Sequence, residues 1–244
     1  WDDWKGNSED YDLYLYDPNG KQVASSEDRQ RGQSGDMPVE VIRLDQPTQK
    51  SYYIVIVAKK ATRAVIFDLY AHNGRLGYYS ADHSLGTPAD ARGALTVGAI
   101  AWRDNKLESF SSQGPTNDNR LKPELVAPDR VTTNAYRGQM FPGTSASTPH
   151  VAGAAALVFN RFPKFTAAEV VAYLESSAAD MGPNGPDPAY GYGRLQLPSP
   201  KAQAQPPIIV PKTPIILTSP PIAEKPPVTQ PPAAPPRTSP GTPP

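Results

Sequence analysis

Proline sets the outer limit on what this chain can fold into. Seventeen of its 30 prolines fall between Pro198 and Pro244. Each fixes its own φ and removes a backbone donor, so that stretch supports neither a helix nor a central strand. Its apolar residues carry no period that a core could use. Residues 198–244 are therefore expected to form an extended, polyproline-II-like, disordered tail or linker. Within it, Ile208-Ile209-Val210 and Ile215-Ile216-Leu217 stand out as apolar islands. The tail reads either as a tether to a wall, a surface or a further module, or as a simple disordered end. The folded body is expected within residues 1–197, enough for one or two domains with cores.

Charge narrows the partners. Lys+Arg and Asp+Glu balance at 24 each, which points away from nucleic acid and anionic membranes. Cysteine is absent, so disulfides and thiolate metal sites are excluded. No apolar run is long enough to span a bilayer as a helix. The sequence opens at Trp1 without an initiator Met or a leader, and it reads as a piece of a longer precursor.

Residues 1 to about 81 have the pattern of antiparallel strands. Tyr11 to Tyr16 runs into Asp17-Pro18-Asn19-Gly20, where proline presets its φ and Asn-Gly accepts positive φ. Lys21 to Ala24 is the expected return strand, and Ser25 to Asp36 a loop. Val39–Leu44, Ser51–Ala58 and Ala64–Tyr70 are further strand candidates, and together they predict a small sandwich. Asp10, Asp12, Asp17 and Asn19 could be weighed as calcium ligands, because that ion takes clustered oxygens. The plainer alternative has Asp17 and Asn19 building the turn while the other two face water. Trp1 and Trp4 offer either a sugar-stacking face or ordinary packing.

The second half changes period. Ala94–Ile100 reads as a buried strand in which Gly98 permits close backbone approach. Phe141-Pro142-Gly143-Thr144-Ser145 then delivers a serine from a glycine turn into an Ala/Gly-rich helix, expected from Ser145 or Ser147 to Arg161. Ala152 to Ala156 make that helix slim enough for packing on all sides. Pro149 is tolerable in a first turn and should lie close to the start. The helix N-terminus leaves N–H groups unsatisfied and favours negative charge, so an oxyanion formed beside Ser145 would be stabilised there. The same residues also fit an ordinary Ser/Thr helix cap. Pro163 ends the helix. Thr166-Ala167-Ala168-Glu169 is a capping box, and Val170, Leu174 and Ala178 share one face of a second helix ended by Gly182-Pro183.

The run Gly143-Thr144-Ser145-Ala146-Ser147-Thr148-Pro149-His150-Val151-Ala152-Gly153 closely resembles the nucleophile segment of subtilisin-like serine proteases, the subtilases. Three further elements match the family in order: Phe110-Ser111-Ser112-Gln113-Gly114-Pro115, Lys122-Pro123-Glu124-Leu125-Val126-Ala127-Pro128, and the closing run Tyr190-Gly191-Tyr192-Gly193-Arg194-Leu195. In the last of these, Gln196 stands where the family has an acidic residue. The resemblance implies that Ser145 is the acyl-forming nucleophile, with its own N–H as one oxyanion donor. His150 is then a satisfied core histidine and not the catalytic base. The Asp10–Ser26 run resembles pre-peptidase C-terminal type β modules and the β insertions of some bacterial subtilases.

The implied organisation is α/β. Residues 1–83 would be a small antiparallel β-sandwich insertion, 84–197 the C-terminal half of a subtilisin-like parallel-sheet sandwich, and 198–244 the disordered Pro-rich tail. Serine needs a base, and the base an orienting acid. The family's Asp, His and oxyanion Asn motifs do not occur in this sequence, and His72 and His83 lie in loop-like surroundings without a catalytic motif. The resemblance thus implies a secreted bacterial serine endopeptidase, either free or attached to the cell surface. It would act on proteins or peptides and need no cofactor, with structural calcium left open. Its triad would be completed by the missing N-terminal part of the same domain. The chain alone is expected to be inactive, and half a parallel sheet to expose a sticky edge. The rival reading is a pseudoprotease, or a structural protein that binds surfaces through residues 1–83. An esterase with Gly-x-Ser-x-Gly is a weaker third, since that motif is absent around Ser145.

Overall fold

The computed structural model describes residues 1–199 except Asn7 and Asn73, together with Thr213 and Ile215–Leu217. Its contacts divide the chain into two units, Trp1–Gly77 and Tyr78–Pro244.

The first unit holds β1 (Asp10–Tyr16), β2 (Gln22–Ser26) and β3 (Tyr53–Lys60) in one antiparallel sheet of order β2-β1-β3. The expected hairpin forms as read. Asp17 accepts from the N–H groups of Asn19 and Lys21 at 2.9 Å each, and Gly20 takes φ 80°. On the other side of β1, Leu13 pairs with Ile56 and Leu15 with Ile54. Tyr11 packs edge to face with both Trp1 and Phe67, the Tyr11 and Phe67 centroids 4.8 Å apart, and Trp1 lies tilted against Phe67. Trp1 is thus a packing residue, while Trp4 is exposed.

The sandwich expected over residues 1–83 is corrected to this single three-stranded sheet among the described residues. Neither Val39–Leu44 nor Ala64–Tyr70 forms a strand. Their backbones find local partners instead. The Val41 N–H donates to Ser26 Oγ at 3.1 Å, and the Ile66 N–H to the Asp2 carboxylate at 3.2 Å. A ladder needs a free neighbouring edge with matching register, and alternation in sequence does not supply one. As a result β3 is exposed along all eight residues.

The second unit carries the parallel pair β4 (Val97–Ala101) and β5 (Leu125–Asp129), the short antiparallel pair β6 (Val131–Thr132) and β7 (Met140–Phe141), and helices α1 (Thr144–Arg161) and α2 (Ala167–Ser177). Val97, Leu125, Ala127, Val151, Val158, Phe162, Val170 and Leu174 form its core, filled from both strands and both helices. The α2 capping box is present, with both Thr166 and Glu169 engaged. The closing run lies against β5. Val126 N–H donates to Gly193 O at 3.0 Å, and Leu195 N–H to Val126 O at 2.8 Å. Gly193 has φ 117°, and a Cβ there would stand 2.2 Å from Ala179 O, so only glycine fits.

Two expectations about the helix change. It is packed on one face only: Val151, Ala154 and Val158 are buried, whereas Leu157 is 62% and Phe159 41% exposed. Its Ala/Gly content permits close packing all round, but the described residues cover one side. Pro149 falls in the second turn, not the first.

In the Pro-rich segment the structure describes Pro198, Ser199, Thr213 and Ile215–Leu217, and the expectation of an extended tail otherwise lies outside the described residues. Ile215–Leu217 is no isolated island. Leu121 N–H donates to Ile215 O at 2.9 Å and Leu217 N–H to Asn119 O at 2.7 Å, with Arg120 and Ile216 paired antiparallel.

Candidate active site

The unusual geometry sits between β7 and α1. Gly143 is the N-cap of α1, with φ 129° and ψ 155°, a conformation closed to residues with a side chain. No side chain caps this end, so the Ser/Thr-cap alternative finds no hydrogen bond in the structure. Thr144 and Ser145 are the first two helical residues, and Ser145 is exposed. The first-turn N–H groups and the helix dipole both favour an anion at this point. Pro149 has no N–H to offer the Ser145 carbonyl one turn back, so the helix ladder is open beneath the serine.

The turn is held from below. Asp129, the last residue of β5, is wholly buried, and its Oδ1 accepts the Gly143 N–H at 2.8 Å. Its Oδ2 is buried without a hydrogen-bond partner among the described residues. Ser147, also wholly buried, donates to Pro128 O at 3.3 Å. Two contacts thus pin the glycine turn and the first turn of α1 to the end of one strand. The sequence reading did not single out Asp129. The available signal was an acid at a strand end, immediately before a loop that returns to the glycine turn.

A small cavity of about 130 Å³ opens beside Thr144 and is lined by Thr96, Val97, Gly98, Ser111 and Pro123. Ser111 Oγ accepts the Ala99 N–H at 3.0 Å, and a Cβ on Gly98 would stand 2.9 Å from that oxygen. The Phe110–Pro115 element therefore braces β4. Lys122 is another residue whose role the sequence left unread. It is 2% exposed, pairs with Glu124 at 2.5 Å and donates to Ala94 O. Burial pushes the Glu124 carboxyl up, and Lys122 pulls against that.

None of the histidine side chains is hydrogen-bonded to Ser145 among the described residues. His150 Nδ1 lies 2.8 Å from Ala146 O, so its ring is satisfied within its own helix, half-buried and not in the core. His72 and His83 are exposed in loops.

The carboxylates weighed for calcium are engaged separately. Asp17 holds the hairpin turn, and Asp10 accepts from Gln30 N–H at 3.2 Å. Asp12 is buried, which opposes its ionisation, but the Tyr14 hydroxyl and Lys59 outweigh that and hold its carboxyl below the usual range. Asn19 contributes its backbone N–H to the turn. Among the described residues, no three acids or histidines stand together as a metal site.

Comparison with known proteins agrees with this architecture. The model of the subtilase family matches residues 50–193. Subtilisin E of Bacillus subtilis (strain 168) is 32% identical over 149 residues, covering 61% of this chain and 38% of that protein. Subtilisin DY of Bacillus licheniformis is 33% identical over 112 residues, 45% of this chain and 38% of its own length. The chain therefore spans well under two thirds of these curated relatives. The solved structure of the Clostridium perfringens CspB protease shares the fold with a TM-score of 0.52 at 23% identity, over 77% of this chain and 48% of that one.

Proposed function

This chain belongs to the subtilase family, and from that premise we propose that it is the C-terminal part of the catalytic domain of a secreted serine endopeptidase, with Ser145 as its nucleophile. The observation that carries the reading is the uncapped start of α1, where the exposed Ser145 follows a glycine turn anchored to buried Asp129.

In this reading Ser145 Oγ attacks the scissile carbonyl carbon while its proton passes to a histidine base. The carbonyl oxygen becomes an oxyanion, held by the Ser145 N–H at the positive end of α1. Collapse of the tetrahedral intermediate breaks the C–N bond, and the histidine gives its proton to the leaving amine. Water then releases the acyl group by the same route. No metal or organic cofactor is needed for this chemistry. The histidine, the acid that orients it and the second oxyanion donor come from a segment outside this sequence. That assignment rests on two features. Their motifs do not occur ahead of Ser145, and the exposed Leu157 and Phe159 of α1 are apolar surface of the kind a further layer covers. Residues 1–83 are read as an insertion, and proteins or peptides as substrates.

Labelling with a fluorophosphonate probe tests both parts. The chain alone is expected to stay unlabelled. The chain joined to the segment encoded before Trp1 should label stoichiometrically, and Ser145→Ala should abolish that signal. Stoichiometric labelling of the isolated chain at Ser145 would overturn the view that the base lies elsewhere. Failure of the joined protein to label at all would overturn the nucleophile assignment.

A further inference from the structure

The second unit contains a cavity of about 330 Å³, larger than the one beside Thr144 and sharing no lining residue with it. Its walls include Leu95, Leu121, Ala168, Val171 and Tyr192, and Thr213 and Ile215 of the Pro-rich segment line it as well. Tyr192, half-buried, forms part of the wall, and burial, then the nearby Glu175 and Glu124, push its hydroxyl up to about 12.

The rim of this cavity includes the run Asn119–Leu121, which is held by its neighbours. Arg120 donates to both oxygens of Asp118 at 2.9 Å and to Asp90 O at 2.6 Å, and it is almost wholly buried. Leu121 is buried beside it. Ile215–Leu217 lies along this edge with the spacing of an antiparallel strand. Its two hydrogen bonds flank the Arg120–Ile216 pair, and its side chains alternate, Ile215 and Leu217 half-buried and Ile216 60% exposed. Main-chain pairing at an edge with alternate side chains seated in pockets is a recurrent way to bind an extended peptide. The proline before Ile215 narrows the conformations of the unbound segment, which lowers the entropy lost on docking. The same Pro-Ile-Ile-aliphatic pattern occurs twice in the tail, at Pro207–Val210 and Pro214–Leu217.

We propose that this cleft and its Asn119–Leu121 edge form a docking groove for the tail's own Pro-Ile-Ile-Leu motif, anchoring the Pro-rich segment to the protease body away from Ser145. In this reading Ile215–Leu217 is the point at which the Pro-rich segment is held to the body. Tension applied beyond Leu217 is then borne by the Asn119–Leu121 edge, and the closing run against β5 is spared.

Amide hydrogen exchange on the chain, together with whatever segment precedes it in its gene product, tests this. The Ala127 and Leu174 amides serve as the reference for an intact core. In the unaltered protein the Leu121 and Leu217 amides should exchange at least about tenfold more slowly than in a free peptide. Leu217→Pro removes the amide that reaches Asn119 and should release Leu121 while Ala127 and Leu174 stay protected. A synthetic peptide of Lys212–Ser219 added to the Leu217→Pro protein should restore Leu121 protection in a saturable way, and the same peptide with Ile215→Asp should not. Free-peptide exchange at Leu121 beside a protected core overturns the proposal, as does an equal response to both peptides or a response to neither.

Discussion

The chain contains two aliphatic strands with opposite fates. β3 reads Tyr-Ile-Val-Ile-Val-Ala-Lys-Lys and is exposed from end to end, while β4 reads Val-Gly-Ala-Ile-Ala and is buried through its first four residues. Composition would rank β3 as the better core strand. The difference lies in what covers them. Against β4 stand β5, the Phe110–Pro115 brace and α1, whereas β3 has β1 on one edge and no layer across it among the described residues. Hydrophobic stabilisation follows the apolar area removed from water, and an aliphatic strand without a facing layer removes little.

The largest effect that would probe this contrast is at the buried ion pair beside β4 and β5. Lys122→Met leaves the Glu124 carboxylate without its partner in a largely buried place, at a cost of about 3–5 kcal/mol. Adding Glu124→Met should recover most of the loss, since two well-packed apolar groups replace two desolvated charges. Urea melts read by amide exchange within Tyr78–Leu197 measure both. A Lys122→Met loss under about 1 kcal/mol would mean that the pair is hydrated and the β4–β5 region less closed than its burial indicates.

Next in size is the apolar core itself. Leu174 is wholly buried between α2 and the strands, so Leu174→Ala should cost about 2–5 kcal/mol through lost transfer energy and the cavity left behind. The same melts report it. A cost near the upper end marks a core that cannot relax around the void. A cost under about 1 kcal/mol would remove the distinction drawn between the two units.

What the sequence made legible follows the range of the interactions. The Asp17–Gly20 turn, the Thr166–Glu169 capping box and the glycine turn before Ser145 are each settled within a few residues, and each appears where it was read. Strand β4 was legible in the buried apolar run Ala94–Ile100, whereas β5 lay in the Lys122–Pro128 run, marked in the sequence only by its family resemblance. Apart from the position of Pro149 in its helix, the failures are long-range. Val39–Leu44 and Ala64–Tyr70 alternate correctly, yet Ser26 and Asp2, distant in sequence, took their backbone donors. Nothing in Thr144–Arg161 distinguishes a helix packed on all sides from one packed on a single side. The roles of Asp129 and Lys122 depend on what folds over them, and the pairing of Ile215 with Leu121 joins residues about ninety positions apart.

The smallest expected effect is the most informative about β3. Ile56→Thr keeps the β-branched shape that suits a strand and exchanges an ethyl branch for a hydroxyl on a side chain already 40% exposed. In this chain the change should stay within about 0.5 kcal/mol, the range of surface substitutions away from special features. Made in the chain joined to the proposed upstream segment, the same substitution asks whether the bare strand is a property of the sheet itself. An unchanged, near-zero cost keeps β3 as a strand that faces water, and the contrast with β4 is then intrinsic to the two units. A rise to about 1–2 kcal/mol would be the cost of setting a hydroxyl among apolar neighbours. It would mean that a layer from outside this sequence closes over β3, as the proposed upstream half closes over the bare face of α1.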